Sequence, residues 1–321
     1  MKEPWFWREK GFAAEAASLL FAPAAVLYDA GQVIRAALAA PQGASAPVIC
    51  IGNAVLGGVG KTPFALLLQG ILKEHGVSAH FASRGYGGSI DGPTRVGAQH
   101  RAADVGDEPL LLAAAAPTWI ARSRLAGVRA AAEGADVVIM DDGFQNPTVR
   151  KSVSFLIARA DDPVGNGRVF PSGPLREPLK RAFSRADAVV IVGEGGSAIE
   201  TGSLPVFRAS TEIETSVPPQ KVVAFCGIGT PGRFFHDLER RGFAIAARTA
   251  FADHHLYSDA EIRTLRRTAI RESAPLITTE KDFVRLGAEH REGVAVARLR
   301  MSADDPAALA AFTLRKAGLS K

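Results

Sequence analysis

Apolar positions follow two rhythms along the chain. Short, mainly apolar runs recur at 48–51, 137–140, 153–157 and 188–192, and all but the third are flanked by glycine or an acidic residue. Continuous apolar runs of this length predict strands buried on both faces. Between them lie stretches with helical spacing. Residues 61–74 carry Ala65, Leu66, Leu67, Leu68, Ile71 and Leu72 and predict one helix. A second starts at Asp107 and Glu108, whose charges complement the positive helix start. Helix 123–133 and a short strand at 118–120 complete this region. Strand–helix alternation of this kind predicts an α/β fold with a mostly parallel sheet and helices on both faces.

The pattern breaks between Gly202 and Pro219, where the chain is polar, proline-bearing and without helical period. It then restarts. KVVAFC and APLITT read as strands, PGRFFHDLERRGF as a helix opened by Pro231, GVAVARLRM as a last strand and 306–316 as a closing helix. The expectation is two α/β lobes of unequal size. Residues 1–203 form the larger, and 204–321 form a smaller C-terminal domain joined by two strands, VFRAS and VARLR.

Composition narrows the class. The 321 residues are 47% hydrophobic and 22% charged, with a net charge of +5, which excludes a mainly disordered chain. Cys50 and Cys226 both sit in apolar runs and are expected as buried free thiols. No dense Lys/Arg block appears, so no nucleic-acid partner is expected, and no obligate protein partner is evident.

The first 28 residues are unusual for their large apolar groups. Trp5, Phe6, Trp7, Phe12, Leu19, Leu20, Phe21, Leu27 and Tyr28 precede the first strand. Glu3 and Glu9 argue against a secretory signal, and Pro23 interrupts an uncharged stretch too short to span a bilayer. Aromatic rings beside Arg8 and Lys10 suit a membrane surface; a helix packed on the domain core fits the same periodicity.

The strongest local signal is Gly57-Gly58-Val59-Gly60-Lys61-Thr62, which follows a strand and opens a helix. Those are the conditions for a phosphate loop. Glycines let successive N–H groups curl around phosphate oxygens, Lys61 reaches the β and γ phosphates, and the Thr62 hydroxyl can ligate Mg2+. The expected cradle is Val55, Leu56, Gly57, Gly58, Val59, Gly60, Lys61 and Thr62. Position 55 carries Val where the standard spacing has glycine. Asp141 and Asp142 emerge at the tip of a buried strand, and adjacent carboxylates favour a cation such as Mg2+. Together these argue for phosphoryl chemistry on a nucleoside triphosphate.

Further strings occur in a fixed order: SRGYG at 83–87, GDEP at 106–109, DDGFQ at 141–145 and FPSGPLREP at 170–178. CGIGTP at 226–231, FADHH at 251–255 and TTEKD at 278–282 follow. With the GGVGKT loop and the apolar start, this set closely resembles the tetraacyldisaccharide 4'-kinase family, the lipid A 4'-kinases of Gram-negative bacteria. The resemblance implies ATP- and Mg2+-dependent phosphorylation of the 4'-hydroxyl of a tetraacyldisaccharide 1-phosphate, giving lipid IVA. It implies a lipid-linked disaccharide substrate and peripheral docking at the cytoplasmic face of the inner membrane.

The resemblance also assigns roles. Asp107 matches the family's base toward the sugar hydroxyl, and His254 matches its partner. Lys61 stabilises phosphate charge. Thr62, Asp141 or Asp142, and Glu177 hold or orient Mg2+. Arg84 and Arg176 are anion holders for substrate or nucleotide phosphate. One position departs from the family: Asn146 stands where a histidine is usual, so no titrating role is expected there. Without the resemblance, Asp107 reads as a helix cap and TTEKD as a strand end with a helix cap. A membrane-recruited switch ATPase and a kinase of a soluble sugar remain the alternatives.

Overall fold

The computed structural model describes residues 3–195 and 199–319. Residues 1, 2 and 196–198 of the expected first unit and 320–321 of the second therefore lie outside the described residues. The chain opens with two helices, α1 (Phe12–Leu20) and α2 (Ala22–Leu38), bent by 50° at their junction. Pro23 lies in the first turn of α2, where its missing N–H costs nothing. No single described helix is long and apolar enough to cross a membrane, though the bent pair passes that test by length and composition together.

The first α/β unit then runs β1 (Val48–Asn53), α3 (Lys61–Glu74), β2 (Ala79–Ser83), β3 (Thr94–Arg95), α4 (Ala102–Val105) and α5 (Asp107–Ala113). It continues through β4 (Thr118–Ile120), α6 (Arg124–Ala132), β5 (Val137–Asp141), β6 (Val153–Arg159), α7 (Leu179–Phe183) and β7 (Ala188–Val192). The second unit comprises β8 (Val206–Thr215), β9 (Lys221–Cys226), α8 (Pro231–Arg240), β10 (Ala244–Ala250) and α9 (Asp259–Glu272). It ends with β11 (Leu276–Thr279), α10 (Glu280–Arg285), β12 (Val294–Ala303) and α11 (Pro306–Ala317).

All strands among the described residues join one 12-stranded sheet, in the order β10-β9-β11-β12-β8-β7-β6-β1-β5-β2-β4-β3. Every pairing is parallel except β8 with β12 and β3 with β4. The antiparallel β8–β12 pair is the seam between the two halves. β1, β5 and β6 sit in the middle and are buried along almost their whole length, as their apolar runs require. β1 lies between β5 and β6, so the loops after β1 and β5 emerge side by side at one sheet edge. Such a point is where open α/β sheets bind ligands.

One boundary needs correcting. Helix α11, expected with the second lobe, packs on α3 and β6 of the first. Leu309, Ala310 and Phe312 belong to the same core as Phe64 and Phe155. The reason is hydrophobic: β12 runs back along the seam and delivers the amphipathic end of the chain to the larger core.

Three elements exceed the sequence expectation. β8 is ten residues long but buries only Ala209 and Ile213, so its apolar signal is thin. β10 is an edge strand with few large side chains. α9 buries only Ile262 and Leu265; its legible mark was the Ser258–Glu261 capping box. Cys50 and Cys226 are buried free thiols, as expected.

Candidate active site

The phosphate loop is held from outside by the segment 169–176. Leu56 N–H donates to Pro174 O at 2.7 Å, and Arg176 N–H donates to Ala54 O at 2.7 Å. The carbonyl of Val55 accepts from Asn53 Nδ2 at 2.5 Å. Val55 and Leu56 were expected in the phosphate cradle; instead they anchor it. The Leu56 N–H is already used, and its side chain joins a cluster with Phe6 and Trp7. The remaining cradle is free. Among the described residues no protein acceptor takes the N–H groups of residues 57–62. Gly60 precedes α3 with φ 94°, in the left-handed region that turns those groups toward one point.

Lys61 and Thr62 begin α3 and meet the loop after β5. Lys61 Nζ lies 3.2 Å from Asn53 Oδ1 and 3.6 Å from Asp142 Oδ1. Thr62 Oγ1 donates to Asp141 Oδ2 at 3.2 Å. The close approach of this loop to β1 depends on Gly52, where a Cβ would fall 2.3 Å from Phe144 Cβ.

The two carboxylates differ. Asp141 is buried and its Oδ1 has no partner. Burial, then the nearby charges of Glu108 and Asp142, push its carboxyl up to about 7. A buried carboxylate with an orphaned oxygen beside a threonine hydroxyl fits a divalent cation. Burial works to raise the Asp142 carboxyl too, but Lys61, Arg176 and Arg124 outweigh it and hold it below the usual range. Arg176 Nη1 and Nη2 contact its two oxygens at 3.0 and 3.4 Å. Arg176, expected to grip an anion, is thus engaged with Asp142.

Glu177 was expected near Mg2+; here Arg181 and Arg185 donate to its two oxygens, and Gln145 Nε2 donates to it at 3.3 Å. Arg84 is exposed at the end of β2, with no ion pair among the described residues. Asn146 closes a turn: its Oδ1 accepts from Thr148 N–H at 3.0 Å and Val149 N–H at 3.2 Å.

In the second group of site residues, Asp107 begins α5 and His254 sits in the loop after β10. Their Oδ1 and Nδ1 are 3.3 Å apart. Burial works to raise the Asp107 carboxyl. The hydrogen bond from His254 and the charges of Lys281 and Arg285 prevail and hold it well below the carboxylate range. The same hydrogen bond raises the His254 imidazole above its usual value, against burial. The edge of Tyr86, from the loop after β2, meets the His254 ring at 5.4 Å. His255, the next residue in FADHH, is occupied elsewhere. It meets Glu261 at 3.0 Å and stacks on Phe251.

Sequence reasoning missed three groups. Arg285 of α10 reaches Asp107, Lys281 pairs with Glu108 at 2.5 Å, and Arg124 Nη2 donates to Asp142 O at 2.7 Å. Arg124 Nη1 is buried without a partner and adds an unpaired donor to the acidic loop. The signal for Arg285 was its place one turn beyond Asp282 in a helix capped by Thr279.

A free amide cradle with its lysine faces a cation-fitting carboxylate, and a carboxylate–histidine pair joins the two halves of the molecule on α5, which packs against α3. That combination is the chemistry of a P-loop phosphotransferase. The sequence carries the class further. The model of the tetraacyldisaccharide-1-P 4'-kinase family matches residues 17–317, and the chain belongs to that family. It is similar to the tetraacyldisaccharide 4'-kinase of Rhodospirillum centenum, 46% identical over 95% of this chain and 94% of the relative. The enzyme of that name from Methylobacterium nodulans is 47% identical over 97% of this chain and 95% of the relative. Among solved structures, LpxK of Aquifex aeolicus, determined in complex with ATP, superposes with a TM-score of 0.77. It is 27% identical, over 93% of this chain and 99% of that one.

Proposed function

We propose that this kinase transfers the γ-phosphate of ATP to the 4'-hydroxyl of a tetraacylated glucosamine disaccharide 1-phosphate, giving lipid IVA. The observation that carries the reading is the Asp107–His254 pair at 3.3 Å, which joins the two halves of the molecule and stands on α5, a helix packed against α3 of the free phosphate cradle. A sugar hydroxyl is a very weak acid, so its proton must leave as the new bond forms. Asp107 Oδ1 takes that proton, and the Nδ1–H of His254, which donates to the same oxygen, holds the carboxylate in place. The hydroxyl oxygen bonds to the γ-phosphorus, the bond to the β-γ bridging oxygen breaks, and ADP leaves with the electron pair.

The N–H groups of residues 57–62 and the Lys61 ammonium hold the triphosphate tail. Asp142 and Asn53 aim the Lys61 ammonium from behind. Mg2+ would bind to the Thr62 hydroxyl and Asp141, whose orphaned Oδ1 supports that assignment. Bound there, it neutralises charge on the phosphate oxygens. Arg84 is exposed without an ion pair among the described residues and Arg124 keeps an unpaired Nη1, so both suit phosphate oxygens of nucleotide or lipid. We read the molecule as two lobes, 1–203 and 204–321, jointed at β8 and β12, with α11 returned to the first.

The acceptor carries acyl chains, so the enzyme must meet a bilayer. An apolar ridge supports this. Phe12, Leu20, Leu27 and Leu38 on α1 and α2 are 90%, 78%, 74% and 83% exposed. Exposure on that scale suits insertion at the headgroup boundary and peripheral docking at the cytoplasmic face of the inner membrane.

The test is γ-labelled ATP with tetraacyldisaccharide 1-phosphate in mixed micelles, resolved by thin-layer chromatography. Label on the lipid is the expected result. Label only in free phosphate would mean a switch ATPase, and label only on a soluble sugar would mean a soluble-sugar kinase.

A further inference from the structure

Arg285 is the least exposed cation of the cleft, and the mechanism above does not use it. Its side chain is 2% exposed and that of Asp107 is 3% exposed. It belongs to α10, in the second lobe, and reaches across to α5 in the first. Its Nε donates to Asp107 Oδ2 at 3.1 Å, and its Nη2 donates to the same oxygen. Its Nη1 donates to Gly227 O at 2.6 Å and Asp282 Oδ1 at 2.9 Å.

Asp282 is itself immobile. It is fully buried and accepts from Gly227 N–H, Tyr257 Oη and Thr279 Oγ1 at 2.9, 2.7 and 2.6 Å. A rigid chain therefore runs Tyr257–Asp282–Arg285–Asp107–His254. Beside it, Lys281 pairs with Glu108, the neighbour of Asp107. Asp253 lies 3.9 Å from the other ring nitrogen of His254.

The consequence is an asymmetric carboxylate. Oδ2 is saturated by the guanidinium, whereas Oδ1 faces only His254. Two fixed donors on one oxygen leave a single rotamer for the group.

We propose that Arg285 is a positioning residue for phosphoryl transfer. It pins Oδ2 of Asp107 from the opposite lobe, so that Oδ1 alone meets the sugar hydroxyl and His254. The inference rests on Asp107 acting as the base. Arg285 also provides a fixed positive charge near His254, opposing its protonation, so its loss has an electrostatic signature besides a geometric one.

The test measures kcat, both KM values and the pH profile of kcat for full-length Arg285→Met, Arg285→Lys and Asp107→Asn, with melting temperatures alongside. For Arg285→Met, kcat falls about a hundredfold, the loss expected of a misplaced reacting group, while both KM values change less than about twofold. The acid limb of its profile moves to higher pH. For Arg285→Lys, which keeps the charge but cannot fork, the limb stays in place and kcat recovers part of the loss. A wild-type kcat in either variant overturns the proposal. So does a lowered melting temperature with an unmoved kcat and profile, which marks a merely structural bolt. Should Arg285→Met not fold, Arg285→Lys decides alone by the same criteria. Asp107→Asn separates the two layers. Its retained turnover would remove the base itself, whereas its loss beside active Arg285 variants would remove only the positioning role.

Discussion

Replacing Phe12, Leu20 and Leu27 together by serine strips the amino-terminal ridge of three large groups that touch little of the protein. They are 90%, 78% and 74% exposed, so the folded core loses almost nothing. Fully burying such a side chain contributes about 1.5–3 kcal/mol. Three of them, mostly but not wholly exposed, therefore carry about 4–7 kcal/mol of available transfer free energy. Helices that lie at the headgroup boundary bury only part of that surface, and half of it is about 2–3.5 kcal/mol. At about 1.4 kcal/mol per factor of ten, vesicle affinity falls about 30- to 300-fold. Co-sedimentation with anionic vesicles measures this, with the emission of the exposed Trp5 as a second probe. The melting temperature in detergent-free buffer stays the same. Unchanged partitioning would refute docking through this ridge. A large drop in melting temperature would show that the ridge packs on protein instead.

Other outcomes are equally definite. Lys61→Ala abolishes transfer while the circular dichroism spectrum is retained; near-normal turnover would remove the phosphate-loop assignment. Asp107→Ala lowers kcat by about two to four orders of magnitude and leaves ATP affinity within a few-fold, as isothermal titration will show. Thr62→Ala and Asp141→Asn raise the Mg2+ concentration needed for half-maximal rate, measured with ATP saturating; an unshifted requirement excludes those two as ligands. Asp107 and His254 also contribute to stability in a bounded pH window. The Asp107 value is depressed from 3.8, so its share is present above about pH 4 and lost as pH falls through the folded value. The His254 value is raised from 6.5, so its share is complete below about pH 6.5 and lost as pH rises through the folded value. The stability difference between wild type and His254→Ala, followed by denaturant titration, is therefore largest between about pH 4 and 6.5.

Some expectations changed for identifiable reasons. Glu177 lies one residue from Arg176 and shares its string, yet sequence proximity does not say which way a side chain turns. The structure turns Glu177 toward Arg181 and Arg185. Val55 and Leu56 stood inside the glycine-rich window, but Pro174 claims the Leu56 amide. The final helix kept its predicted extent and changed its neighbour, because β12 carries it back to the larger core.

The helix at 61–74, the strand carrying Asp141, the phosphate loop and the apolar start were all legible in the one-dimensional pattern. Each depends on local periodicity or on contiguous residues, and backbone geometry converts such patterns directly into shape. The Asp107–Arg285 contact was not legible, and the choice of His254 over His255 as the partner of Asp107 came from the family resemblance and not from periodicity or spacing. These join residues far apart in the chain through a seam formed by two antiparallel strands. Which distant charges meet is set by how the lobes close and by which buried carboxylates would otherwise lack a partner, and that is a property of the packed molecule alone.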